Sequence, residues 1–126
     1  CPIIKGVNDH SETLGELFLL LSFAGCPPYY VFQGRPTEGN LPYEVPIVRA
    51  FHLLRNAVRR NSGLASRVRY VMSHETGKIE IVGVDKKYIY MKYHRAPDQD
   101  KVGRMMIFHR DDTAYWLDQL KQVYVN

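Results

Sequence analysis

Two helical stripes, each set between short apolar runs, constrain this 126-residue chain more than any other feature. Leu14, Leu17, Phe18 and Leu21 recur at the i, i+3, i+4, i+7 spacing of a helix with one buried face. Ile47, Ala50, Phe51, Leu54 and Val58 repeat that pattern farther on. Ile3, Ile4 and Val7 lie ahead of the first stripe, Tyr29 to Gln33 lie between the two, and Val68, Tyr70 and Met72 alternate with polar neighbours after the second. The resulting order is βαβαβ, the unit of a parallel sheet with helical crossovers. Punctuation agrees with it. Asp9 with Glu12 resembles a capping box, Gly25 with Pro27 and Pro28 ends the first helix, Pro46 suits a first turn, and Asn61-Ser62-Gly63 closes the second helix.

After Ser73 the pattern changes. Ile79 to Val84 and Tyr88 to Tyr93 are β-branched and aromatic runs joined by Asp85-Lys86-Lys87, which predicts an antiparallel hairpin, and Arg104 to His109 add a third strand. A last helix is expected from Thr113 to about Val123, capped by Asp111 or Asp112 and packing Leu117 and Leu120. The fold class is therefore α/β: a βαβαβ unit, then an antiparallel meander and a C-terminal helix.

Charge and cysteine content narrow the function classes. Cys1 and Cys26 are too few for a disulfide framework, or for the thiolates of a four-ligand zinc or iron–sulfur site, and point to a reducing, cytoplasmic setting. The longest apolar run, around Leu17 to Leu21, falls far short of the roughly 20 residues that cross a bilayer. Seventeen Lys and Arg against thirteen Asp and Glu give a net charge of +4, concentrated only between Arg49 and Arg69. Arg55, Arg59 and Arg60 sit late in the second helix, where cations also favour the macrodipole, so nucleic-acid binding is a minority reading. The chain lacks an initiator Met, and its first strand opens almost at the terminus, so it reads as a piece cut from a longer protein.

In parallel α/β sheets ligands meet the carboxyl ends of the strands. Those ends carry Asn8 and Asp9, then Gln33 and Arg35, then Ser73, His74 and Glu75, with Lys78 just beyond. Each also has a bland reading: Asp9 caps a helix, Arg35 is solvated, Lys78 opens a strand. Thr76-Gly77-Lys78 lacks the upstream glycine of a phosphate loop, and the five histidines show no metal-ligand spacing. His94-Arg95 beside Tyr88, Tyr90 and Tyr93 is either an anion or stacking site or cross-strand packing.

Ile4-Lys5-Gly6-Val7-Asn8-Asp9, Pro28-Tyr29-Tyr30-Val31-Phe32-Gln33, Ser62-Gly63-Leu64-Ala65 and Gly77-Lys78, in this order and spacing, resemble the later barrel strands of the lysine 2,3-aminomutase-like family. These are radical S-adenosylmethionine enzymes that also use pyridoxal phosphate. The resemblance covers about Ile3 to Lys78 and implies that residues 1–78 are the C-terminal part of a (β/α) TIM-type barrel, with residues 79–126 a β-rich appendage of a divergent branch. It implies that Lys78 is the lysine that links pyridoxal phosphate, and that the parent moves an amino group between adjacent carbons of an amino acid. The [4Fe-4S] cluster motif and the S-adenosylmethionine sites belong to the earlier barrel half, so the chain alone is expected to be inactive and, with strand edges left unpaired, to self-associate. The lysine enzymes hold a substrate ammonium with aspartates where this chain has Arg35 and Ser73. That makes Arg35 and Ser73 the candidate substrate residues and an acidic or neutral polar amino acid the expected substrate. The cysteine-rich tail of some members is absent, and their zinc site is not expected. The alternative is a free-standing α/β binding or interaction module without catalysis.

Overall fold

The two stripes fold as expected, into α1 (Ser11–Phe23) and α2 (Ile47–Arg59). The structure, a computed structural model, describes residues 1–124. Between and after the helices run β1 (Tyr30–Phe32), β2 (Arg69–His74), β3 (Gly77–Val84), β4 (Tyr88–Arg95) and β5 (Met105–His109). They form one mixed sheet in sequence order, with β1 and β2 parallel and each later pair antiparallel.

The first expected strand shrinks to a single parallel bridge between Pro2 and Phe32. Local bonds explain why. The Asn8 side chain accepts from the Ile4 N–H at 2.7 Å, the Asn8 N–H donates to the Ile4 carbonyl at 3.1 Å, and Gly6 turns the chain at φ +80°. Asp9 does not cap α1 either; its carboxylate accepts from the Gly6 N–H at 2.9 Å and pairs with Arg49 at 3.2 Å. Burial opposes the charge on Asp9, but the backbone N–H donors of Gly6 and Asp9, with Arg49, outweigh it and hold the carboxyl below its usual value.

Alternation along the strands sends Val31, Tyr70, Met72, Ile79, Ile81, Ile89 and Met91 into one core with Leu14, Phe18, Ile47, Ala50, Leu54 and Ala57 of the helices. Each buried Val, Leu, Ile, Met or Phe side chain among these contributes about 1.5–3 kcal/mol. The opposite face carries Tyr30, Phe32, Ser73, Lys78, Glu80 and Lys92, set there by the same register. Along it Glu80 pairs with Arg69 at 3.1 Å and with Lys92 at 3.6 Å.

The expected helix over 113–123 does not form. Only a 3-10 turn, Leu117–Gln119, appears. Residues 121–123 instead return along the edge of β5: the His109 N–H bonds to Lys121, the Val123 N–H to Ile107, and Gln122 bridges Phe108. An eleven-residue helix is marginal by itself, whereas this path satisfies an exposed strand edge and buries Ala114 and Trp116.

The C-terminal half of α1 also exposes apolar side chains. Leu14 and Phe18 are buried, while Leu20 and Phe23 are 58% and 79% exposed, and a contiguous exposed apolar patch is ordinarily covered. The chain by itself is therefore expected to self-associate through this face. Sedimentation velocity would show concentration-dependent association that Leu20→Glu with Phe23→Ser abolishes; a monomer unaffected by these changes would refute it.

Candidate functional site

Because β1 and β2 run parallel, their carboxyl ends share one rim, and a cleft of about 340 Å³ opens there. Arg35 and Ser73 both line it, together with Thr37, His74, Glu75, Trp116 and Asp118. Two of the three predicted site residues thus come together, and the cleft carries both signs of charge. Asp118 and Trp116 were hidden from sequence reasoning because their segment was assigned to a helix.

Lys78, just beyond the end of β2, is the second residue of β3 and stands directly opposite Ser73. Its Nζ sits 4.5 Å from the centre of the Tyr30 ring and 5.6 Å from that of Phe32. Gly77 makes this placement possible. It adopts φ +146°, and a Cβ there would stand 2.5 Å from the Arg95 carbonyl oxygen, so a side chain would force β3 and β4 apart.

His74, 5% exposed at its side chain, ties the rim to the C-terminal segment. Its Nδ1 accepts from the Thr76 N–H at 3.2 Å, which leaves Nε2 carrying a proton that it donates to Asp118 at 2.7 Å. Thr76 Oγ1 lies 2.8 Å from Nδ1 and 2.9 Å from the Tyr93 hydroxyl, extending the network to β4. Donor atoms of His74, Glu75 and Asp118 fall within 4.8 Å of one another. A cation bound through Nε2 would displace the proton shared with Asp118 and shift the tautomer off Thr76. The arrangement suits a strut better than a metal centre.

No protein-family profile matches the chain. It is 52% identical over 122 residues, 97% of its length, to a curated protein of Aquifex aeolicus (strain VF5) named "Putative L-lysine 2,3-aminomutase". A protein of the same name from Treponema pallidum (strain Nichols) is 38% identical over 63 residues, 50% of the chain. Over this stretch the chain belongs to the aminomutase-like family. It spans 33% of the length of the first relative, and the second match covers 18% of its relative.

Two further polar residues lie near the rim of this aminomutase-like chain, and one of them serves the fold. Gln33, at the end of β1, is 2% exposed; its Nε2 donates to the carbonyls of Val45 at 2.7 Å and Tyr115 at 2.9 Å, and its Oε1 accepts from the Tyr70 hydroxyl at 2.5 Å. A fully engaged amide has nothing left for a ligand. Glu44 is the opposite case: both carboxylate oxygens are shut off from solvent, have no hydrogen-bond partner, and lie against Gly34 beside a cavity of about 180 Å³. Burial pushes its carboxyl up to about 7. Among the described residues no helix is long and apolar enough to cross a membrane.

Proposed function

We propose that this chain is the pyridoxal-phosphate-holding C-terminal part of an amino acid 2,3-aminomutase-like enzyme, a cytoplasmic isomerase. Lys78 is the cofactor anchor and Arg35 and Ser73 are the substrate residues. The observation that supports the reading is the placement of Lys78 directly opposite Ser73, which lines the same cleft as Arg35. Among the described residues the Lys78 amine makes no ion pair and rests on the Tyr30 and Phe32 rings, which suits an amine that must be free to bond a carbonyl carbon. Bound there, pyridoxal phosphate would supply an electrophilic ring able to delocalise an unpaired electron on the migrating amine. Residues 1–78, with parallel β1 and β2, the Pro2 bridge and the alternating helices, fit the later strands of a (β/α) barrel. Residues 79–126 then form its appendage, and S-adenosylmethionine and the [4Fe-4S] cluster are the province of the parent's remaining part.

Arg35 offers a planar pair of donors to a carboxylate and repels an ammonium, while Ser73 is neutral. Glu75 and Asp118 line the same cleft and suit the amino group of an amino acid. Glutamate is accordingly favoured over lysine.

Borohydride reduction of the cofactor-loaded full-length parent, followed by peptide mapping, should place the label on Lys78 and lose it in Lys78→Arg. Label on another lysine would refute the assignment. The same enzyme, reconstituted with S-adenosylmethionine and cluster, should turn over glutamate in preference to lysine, and Arg35→Asp should move that preference toward lysine by about tenfold or more, the equivalent of about 1.4 kcal/mol. A wild-type preference for lysine, or one untouched by Arg35→Asp, would sink the substrate reading and leave the cofactor reading standing.

A further inference from the structure

β4 carries one residue more than β3 at the end beside Lys78. Lys78 pairs with Arg95 and Ile79 pairs with Tyr93, so His94 is the extra residue of a β-bulge. Alternation along β4 puts His94 on the face of Tyr90 and Lys92, which is also the face of Lys78 and Tyr30, and its imidazole reaches past β3 and β2 to β1, where its Nε2 lies 2.7 Å from the Tyr30 hydroxyl. The two rings meet edge-on, with centres 5.6 Å apart. Tyr29 packs against Tyr30 at 4.3 Å and Phe32 at 5.6 Å, so the ring is held at its hydroxyl and along its sides. That same ring lies under the Lys78 amine.

We propose that His94 and Tyr30 are a positioning pair for Lys78, in which the bulged histidine of the β-rich segment clamps the tyrosine ring beneath the lysine amine. The His94–Tyr30 bond ties the antiparallel segment to the ring on which the Lys78 amine rests. The use of the pair in cofactor binding rests on Lys78 being the anchor; the clamp itself does not.

The charges around the imidazole agree with this role. Burial, then Arg69 on β2, with Arg95 on β4 and Lys78 on β3 adding to it, holds His94 below its usual value against the opposing pull of Glu80 on β3. At neutral pH the ring is uncharged, leaving Nε2 to accept the Tyr30 O–H and adding no further cation beside the lysine. Tyr30 itself is kept protonated, chiefly by burial and next by Tyr29, as the donor of that bond.

The test is NMR of the chain carrying ¹³C-labelled lysine. The ε-methylene protons of Lys78 should resonate upfield of those of the other lysines, because the Tyr30 ring current shields them. His94→Ala and Tyr30→Phe should each move them more than halfway to the ordinary lysine position, and the double variant should go no farther, since both changes break one bond. His94→Gln, whose amide can still meet the hydroxyl, should keep the upfield shift. On adding pyridoxal phosphate and borohydride, the initial rate of labelling at Lys78 should fall about tenfold in His94→Ala and Tyr30→Phe and be retained in His94→Gln. A Lys78 resonance unmoved by His94→Ala, or additive effects of the two changes, would overturn the clamp. Labelling that never reaches Lys78, with the NMR pattern intact, would overturn the cofactor reading and not the clamp.

Discussion

Gln33→Leu is expected to destabilise the chain by about 4 kcal/mol and to lower its midpoint of thermal unfolding by about 15 °C. The substitution keeps the volume and apolar surroundings of the site but strips three groups of their partner: the Val45 and Tyr115 carbonyls and the Tyr70 hydroxyl. A buried group left without its bond costs about 1–3 kcal/mol, and these three share one enclosed place. The loss is large because Gln33 joins three distant parts of the chain. Val45 belongs to the loop before α2, Tyr115 to the C-terminal segment and Tyr70 to β2, so the amide locks the rim of the sheet from both sides. Tyr70→Phe, which removes only one of these bonds, should cost about 1–2 kcal/mol. Calorimetry or urea unfolding checks both. A Gln33→Leu chain within about 1 kcal/mol of the unsubstituted one would mean that the amide is not a structural hub.

Glu44 should act in the opposite direction and only above mildly acidic pH. Its carboxyl is raised from 4.5 to about 7 by burial, with the Tyr70 phenol as the neighbouring ionisable group that in turn feels it. A carboxyl raised in the folded state binds protons more readily there than in the unfolded chain. Its favourable contribution is therefore complete below about 4.5 and is lost as the pH climbs to about 7. Glu44→Gln removes that dependence. At pH 8 the variant should be more stable than the parent by about 1–2 kcal/mol, a figure discounted for the partial exposure of the residue, and at pH 4 the two should nearly coincide. Thermal melts of both chains across this range give the difference directly; parallel curves with a constant offset would show that Glu44 does not ionise in a buried place.

Much of the architecture follows from periodicity. The stripes of Leu14 to Leu21 and Ile47 to Val58 became α1 and α2, and the runs on either side of Asp85-Lys86-Lys87 became the hairpin of β3 and β4. Such patterns are legible because burying one face of a 3.6-residue or two-residue repeat is a property of the segment itself. The convergence of Arg35 and Ser73 on one cleft was legible for a related reason: parallel strands leave their carboxyl ends together.

What sequence alone left open were choices between alternatives of similar local merit. Residues 113–123 have helical spacing, yet the unpaired edge of β5 and the burial of Trp116 drew them into an extended return. Asp9 stands where a helix cap is expected, yet Gly6 and Arg49, one local and one distant, compete for its oxygens. Lys78 could be matched to a family position from the glycine before it, but its place in β3 and the rings beneath it depend on a turn at Glu75-Thr76 and on β1. His94 shares a face with Tyr88, Tyr90 and Lys92 by alternation, but its partner Tyr30 lies 64 residues away on β1, and only the assembled sheet brings the two together. The amino-acid order determines the elements and the residue types at the rim, because hydrophobic periodicity acts within a dozen residues. Which polar groups meet is decided by tertiary structure, because each bond joins partners whose separation along the chain leaves no mark in either segment.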